Sequence, residues 1–183
     1  MKKVIKNIPN IVTSIRLIMA VLAPITLLYN EYLLSLIFYL VGGISDALDG
    51  FLARKLNAYS EFGKKLDGLS DKLFALSLVV SSIIMGNIFM IIPLFLEERI
   101  VATNIISYKL GLNPCTEKIG KIKTIILFPT LILGVYAPLY KNLEYILIIL
   151  FIISITLQIK CIKVYDNKLI NDVKKLERKT RKW

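Results

Sequence analysis

Asp46–Asp71, DALDGFLARKLNAYSEFGKKLDGLSD, is the stretch around which the rest of the chain is organised. Asp46, Asp49, Gly50 and Ala53 fall at i, i+3, i+4 and i+7, so on a helix they share one face. Gly63, Asp67 and Asp71 repeat at i, i+4 and i+8 and share one face of a second helix. Two such helices, joined by the short polar turn Asn57 to Phe62 and facing each other, bring the four carboxylates together. Four like charges in an otherwise apolar region call for cations. An all-oxygen ligand set suits Mg²⁺, Mn²⁺ or Ca²⁺ better than zinc.

The surroundings of that stretch are those of a membrane protein. An apolar share of 56% exceeds the ~45–50% of ordinary soluble domains, and the mean hydropathy is +0.66. The formal charge of +11 is spread between and after apolar runs instead of forming a continuous basic stripe. That distribution fits the positive-inside rule, and no nucleic-acid partner is expected. Cys115 and Cys161 lie in no metal-ligand spacing and are expected to be free thiols in a reducing compartment. Histidine is absent, so acid-base chemistry falls to carboxylates or lysine. The first apolar run has no small-residue cleavage site, so no cleavable signal is expected.

The pattern predicts an all-α integral membrane protein of six transmembrane helices with a short N-terminal amphipathic segment, forming one domain over residues 1–183. Met1 to Asn7 is the basic amphipathic lead-in. The spans are expected at Ile8 to Tyr29, Tyr32 to about Leu56, about Gly63 to Met85, Ile88 to about Leu110, about Ile119 to Tyr140 and about Leu143 to Ile159. Asn30-Glu31 and Gly86-Asn87 supply turns, and Asn113-Pro114 marks a break. Glu97, Glu98 and Arg99 fall near the middle of span four, where they are costly unless they face protein or a wet cavity. The basic tail, residues 160–183, reads as a surface helix or a disordered segment. Four Lys or Arg precede or open span one, five flank the turn after span two, four lie between spans four and five, and nine follow span six. The opposite face has only Lys141. These counts predict a multi-pass cell-membrane protein whose carboxylate site and two termini face the cytoplasm.

Asp46-x2-Asp49-Gly50-x2-Ala53-Arg54-x8-Gly63-x3-Asp67-x3-Asp71 resembles, without a departure, the signature of the CDP-alcohol phosphatidyltransferase family of phospholipid-synthesising membrane enzymes. The resemblance implies a six-helix core and transfer of a phosphatidyl group from CDP-diacylglycerol to a small polar alcohol with release of CMP. It also implies Mg²⁺ or Mn²⁺, as two ions, held by Asp46, Asp49, Asp67 and Asp71, with Asp71 as the general base. Gly50, Ala53 and Gly63 would let the nucleotide approach the helix backbones, and Arg54 would pair with a phosphate. A homodimer is a further expectation of the resemblance.

Two other matches are shorter. Asn10-x2-Thr13-x2-Arg16 resembles the polar opening of span one in the family, where Asn10 and Thr13 would line the CDP-lipid site; Asn10 equally suits a helix cap. Ser60 resembles a hydroxyl that contacts the nucleotide, or is simply solvated in its turn. Gly120-Lys121-Ile122-Lys123-Thr124 and the opening NIPNIVTSIR resemble the bacterial phosphatidylglycerophosphate synthase branch. There Arg99, Lys121 and Lys123 would bind the phosphate of glycerol 3-phosphate, although the two lysines also suit positive-inside anchoring. The branch often has proline after the third aspartate and an Arg-Glu pair in span four, where this chain has Gly68 and Glu98-Arg99. Inositol phosphate, serine or phosphatidylglycerol therefore stay open as acceptors. A small transporter would also keep carboxylates within its spans but would not need the Gly, Ala and Arg of the motif.

Overall fold

The computed structural model describes residues 2–56, 61–113, 115 and 117–180. All regular structure among them is helical: α1 (Lys2–Leu28), α2 (Tyr32–Lys55), α3 (Glu61–Ile84), α4 (Ile91–Lys109), α5 (Lys118–Tyr136) and α6 (Lys141–Thr180). Single 3-10 turns, Ile88–Met90 and Ala137–Leu139, lead into α4 and follow α5. Four segments are long and apolar enough to cross a membrane: Pro9–Leu28, Tyr32–Leu52, Lys118–Leu139 and Lys141–Glu177. The outer surface is apolar, with Ile18, Val21, Ile25 and Leu28 exposed along α1, and Ile149, Ile152 and Ile153 exposed along α6. Ser35, Ser45, Ser70, Ser77, Ser81, Thr130, Ser154 and Gln158 are buried instead. Polar groups inside and aliphatic groups outside are the arrangement of a chain solvated by lipid, and the protein is a multi-pass membrane protein.

The chain forms two compact units, residues 1–87 and 88–183. In the first, α1 packs against both α2 and α3. Small residues permit the close approach: a Cβ at Gly42 of α2 would collide with the Phe74 ring of α3. That ring meets Tyr39 edge-on at 5.8 Å between centroids. Pro24 interrupts the hydrogen-bond ladder of α1 and leaves the Ala20 carbonyl without its helical partner. Ser77 of α3 supplies the replacement, its Oγ donating to that carbonyl at 2.5 Å. Tyr39 Oη lies 3.0 Å from Ser77 Oγ and 2.6 Å from Ser81 Oγ, so one chain of hydroxyls ties all three helices together.

The turns behave as their residues predict. α1, α3 and α4 each end with a left-handed residue, Asn30, Gly86 and Gly111. Each is followed by a backbone N–H that reaches back five residues: Glu31 to Thr26, Asn87 to Ser82, and Leu112 to Ser107. This closes the orphan carbonyls of the last turn and lets the chain reverse at once.

In the second unit α6 packs against both α4 and α5. Leu147, Ser154, Gln158, Cys161 and Tyr165 form its buried stripe at steps of seven, four, three and four. The stripe continues past residue 160, and residues 160–180 are helical and continuous with the preceding segment, the helical one of the two readings of the basic tail. No glycine or proline occurs between Lys141 and Thr180, and nothing ends the helix. Cys115 and Cys161 are free thiols, as expected, and pack with Ile100 and Tyr165 in one buried cluster.

Candidate active site

The carboxylate site lies in the first unit. α2 carries Asp46 and Asp49 one turn apart, and α3 carries Asp67 and Asp71 one turn apart. Carboxylate oxygens of Asp46, Asp49 and Asp67 lie within 4.8 Å of one another. Oxygens bound to one Mg²⁺ at about 2.1 Å are separated by roughly 3–4 Å, so small side-chain adjustments bring three ligands onto one ion. The donor set therefore fits a hard divalent cation. Asp49 is buried, whereas the Asp46 and Asp71 side chains are 61% and 55% exposed. The site thus has a protein-facing floor and a solvent-facing rim.

α1 supplies the floor. The Thr13 hydroxyl lies 2.9 Å from Asp49 Oδ2 and 3.0 Å from the Pro9 carbonyl. Arg16, with a side chain 1% exposed, reaches between α2 and α3. Its Nη2 donates to Asp49 Oδ2 at 2.6 Å and lies 2.9 Å from Asp46 Oδ1. Its Nη1 donates to Asp67 Oδ1 at 3.3 Å and to Asp71 Oδ1. One guanidinium nitrogen serves each helix, and the planar fork of arginine suits such bridging. Residue spacing within Asp46–Asp71 does not disclose this contact, since Arg16 is thirty residues upstream. The available signal was an arginine inside an apolar span, which requires a partner.

Of the expected CDP-lipid residues, Thr13 reaches the site directly and Asn10 lies one turn earlier on α1, its carbonyl accepting from Ser14 Oγ at 2.9 Å. Gly50 follows Asp49 on α2, and Gly63 lies one turn before Asp67 on α3, both half-buried. Ala53 and Arg54 belong to the last turns of α2, and their side chains lie outside what is described. Ser60 lies outside the described residues.

The expected acceptor residues all belong to the second unit. Lys123 is buried and pairs with Glu97. Arg99 Nη2 donates to Asp166 Oδ2 at 3.1 Å, while Thr103 Oγ1 lies 3.0 Å from the other Asp166 oxygen. Lys121 is exposed. Lys121 and Lys123 are two residues apart on α5, hence about 200° apart around it, and do not present a common face. Glu97 and Arg99 of α4 thus both have charged partners within the second unit.

Known proteins are similar to this chain in sequence. A glycerol-3-phosphate 3-phosphatidyltransferase acting from CDP-diacylglycerol in Aquifex aeolicus is 46% identical over 68 residues, covering 37% of this chain and 38% of the relative. The enzyme of the same name in Bacillus subtilis is 31% identical over 120 residues, covering 64% of this chain and 60% of the relative. A CDP-diacylglycerol–inositol 3-phosphatidyltransferase of Candida albicans is 38% identical over 73 residues, covering 40% and 31%. The chain thus spans about a third to three fifths of the length of these curated relatives. The family profile extends further: residues 6–159 match the CDP-alcohol phosphatidyltransferase profile, taking in α1 with Arg16 as well as the four aspartates, and the chain belongs to that family.

Proposed function

We propose that this protein transfers the phosphatidyl group of CDP-diacylglycerol to glycerol 3-phosphate and releases CMP. The observation that carries the reading is the convergence of carboxylates from α2 and α3 at one polar point of an apolar helix bundle. The family and the names of the bacterial relatives supply the substrates.

Asp46, Asp49 and Asp67, with Asp71, would hold the Mg²⁺ or Mn²⁺ ions. When bound, such ions neutralise the pyrophosphate of the donor and the charge that develops on the leaving phosphate. The chain's own groups do the rest. Asp71 is one of the half-exposed carboxylates at the rim, accessible to a hydroxyl arriving from outside. It accepts the proton of the acceptor hydroxyl as that oxygen attacks the phosphorus bearing diacylglycerol. The phosphorus–oxygen bond to CMP breaks, and CMP leaves with the electron pair. Gly50 and Gly63 offer backbone without side chains beside the aspartates, where a nucleotide can approach closely.

We further infer that all six α-helices cross the membrane, with the aspartates and both termini on the cytoplasmic side. The Lys and Arg distribution supports this orientation. In a cysteine-free background, Ile88→Cys should react with an impermeant maleimide in intact cells and Asn113→Cys should not; the reverse pattern overturns the orientation.

The decisive assay is CMP release by purified protein with CDP-diacylglycerol, Mn²⁺ and either glycerol 3-phosphate or inositol phosphate. Release with glycerol 3-phosphate alone establishes the reaction. Release with inositol phosphate alone replaces the acceptor and keeps the mechanism; the Candida relative is named for inositol itself, which belongs in the same panel. Nucleotide-independent cation binding without CMP release returns the protein to the transporter class.

A further inference from the structure

Arg16 makes a contact pattern that neither a helix anchor nor a simple ion pair requires. Its side chain is 1% exposed and touches a carboxylate oxygen of every aspartate in the motif: Asp46 Oδ1, Asp49 Oδ2, Asp67 Oδ1 and Asp71 Oδ1. Its Nε is buried and has no hydrogen-bond partner among the described residues. The guanidinium is thus placed for the four acids at the expense of one of its own donors. Leaving a buried donor unsatisfied is unfavourable, so the four contacts must outweigh it.

A divalent ion drawn to Asp46, Asp49 and Asp67 would lie within a few ångströms of that guanidinium, and like charges that close in a partly desolvated site repel strongly. Arg16 and an incoming ion therefore compete for the same carboxylates. The four contacts are unequal. Asp49 is buried, also lies beside the Thr13 hydroxyl, and makes a 2.6 Å bond to Nη2. Asp46, Asp67 and Asp71 have half-exposed side chains that can turn away at low cost.

We propose that Arg16 is a built-in counter-cation of the site: it bridges Asp46, Asp49, Asp67 and Asp71, and a divalent cation held by these acids would displace it from all but Asp49. Arg16 is then a positioning residue that sets how tightly metal binds and prevents the four acids from driving α2 and α3 apart before metal arrives. The proposal rests on the cation-binding reading of the aspartates given above.

The test is Mn²⁺ titration of purified protein in detergent, with free Mn²⁺ followed by electron paramagnetic resonance, beside thermal unfolding with and without Mn²⁺. Arg16→Gln should bind Mn²⁺ on the order of tenfold tighter than wild type. It should unfold at lower temperature without metal and recover most of that loss at saturating Mn²⁺. Arg16→Lys keeps the charge but cannot bridge four carboxylates, so its Mn²⁺ affinity should fall between the two, and it decides the matter should Arg16→Gln not insert. An affinity equal to or weaker than wild type in these variants overturns the proposal. Absence of Mn²⁺ binding from wild type and variants alike overturns both the proposal and the cation site. Tighter Mn²⁺ binding by the variants, with no CMP release by wild type on any acceptor, retains the Arg16 role and removes the transferase reading alone.

Discussion

Ser77 Oγ donates to the Ala20 carbonyl at 2.5 Å, and that is the carbonyl from which Pro24 withholds a helical N–H. Proline in an apolar helix is tolerated when a neighbouring helix closes the freed backbone group. Ser77→Ala should therefore destabilise the protein by about 1–3 kcal/mol, the cost of a buried acceptor left unsatisfied. In a Pro24→Ala background, residue 24 regains its N–H and the same substitution should cost far less. A double-mutant cycle of thermal unfolding in detergent measures the coupling. Equal cost in both backgrounds would show that the hydroxyl does not serve the carbonyl.

Gly42 faces the ring of Phe74 so closely that a β-carbon there overlaps the ring edge. Gly42→Ala should destabilise the first unit by about 1–3 kcal/mol through overpacking. Phe74→Leu in the same chain should recover part of the loss, since a smaller side chain frees the space the new methyl needs. Unfolding temperatures of the two single variants and the double variant check this. A double variant less stable than either single one would contradict it.

The contrast between these contacts and the aspartates shows which parts of the fold a single chain discloses. Asp46, Asp49, Asp67 and Asp71 are legible because helical periodicity within one short stretch already assigns each pair to a face. Ser77 is 57 residues from Ala20. Its partner is defined only by a proline four residues further along α1, and a serine in an apolar span has many other uses. Arg16 reads as one residue of the polar opening of span one, and only the packing of α1 against both α2 and α3 reveals it as the hub of the site. The length of α6 was obscured for a different reason. Charge density after Ile159 suggested a change of environment, but a change of environment does not end a helix that lacks a breaking residue, and Cys161 and Tyr165 continue its buried stripe.

Asp71 differs from its three companions in that Asp46, Asp49 and Asp67 form the cluster of oxygens close enough to hold one ion. Asp71→Asn should lower CMP release by about 10²–10⁴-fold, the usual contribution of a positioned base, while retaining Mn²⁺ binding at those three residues. Asp49→Asn should lose Mn²⁺ binding as well, because it removes charge from the floor. Single-turnover CMP release beside Mn²⁺ titration separates the two. An Asp71→Asn protein with wild-type turnover would remove Asp71 as the base.

Lys123 and Lys121 provide the sharpest separation between fold and acceptor recognition. Lys123 is 4% exposed and paired with Glu97, whereas Lys121 stands exposed on the other side of α5. Lys123→Met leaves Glu97 unpaired and should cost about 1–3 kcal/mol, below the roughly 3–5 of a fully buried pair because the Glu97 side chain is 28% exposed. Adding Glu97→Gln should restore most of that stability, since the pair is then neutral on both sides. Lys121→Ala should change stability by no more than about 0.5 kcal/mol. If the acceptor phosphate is bound by Lys123, the stable Glu97→Gln, Lys123→Met protein will still show a raised KM for glycerol 3-phosphate with unchanged KM for the CDP-lipid. A wild-type KM for glycerol 3-phosphate in that double variant would assign Lys123 to the fold alone and leave Arg99 and Lys121 as the groups to test for the acceptor.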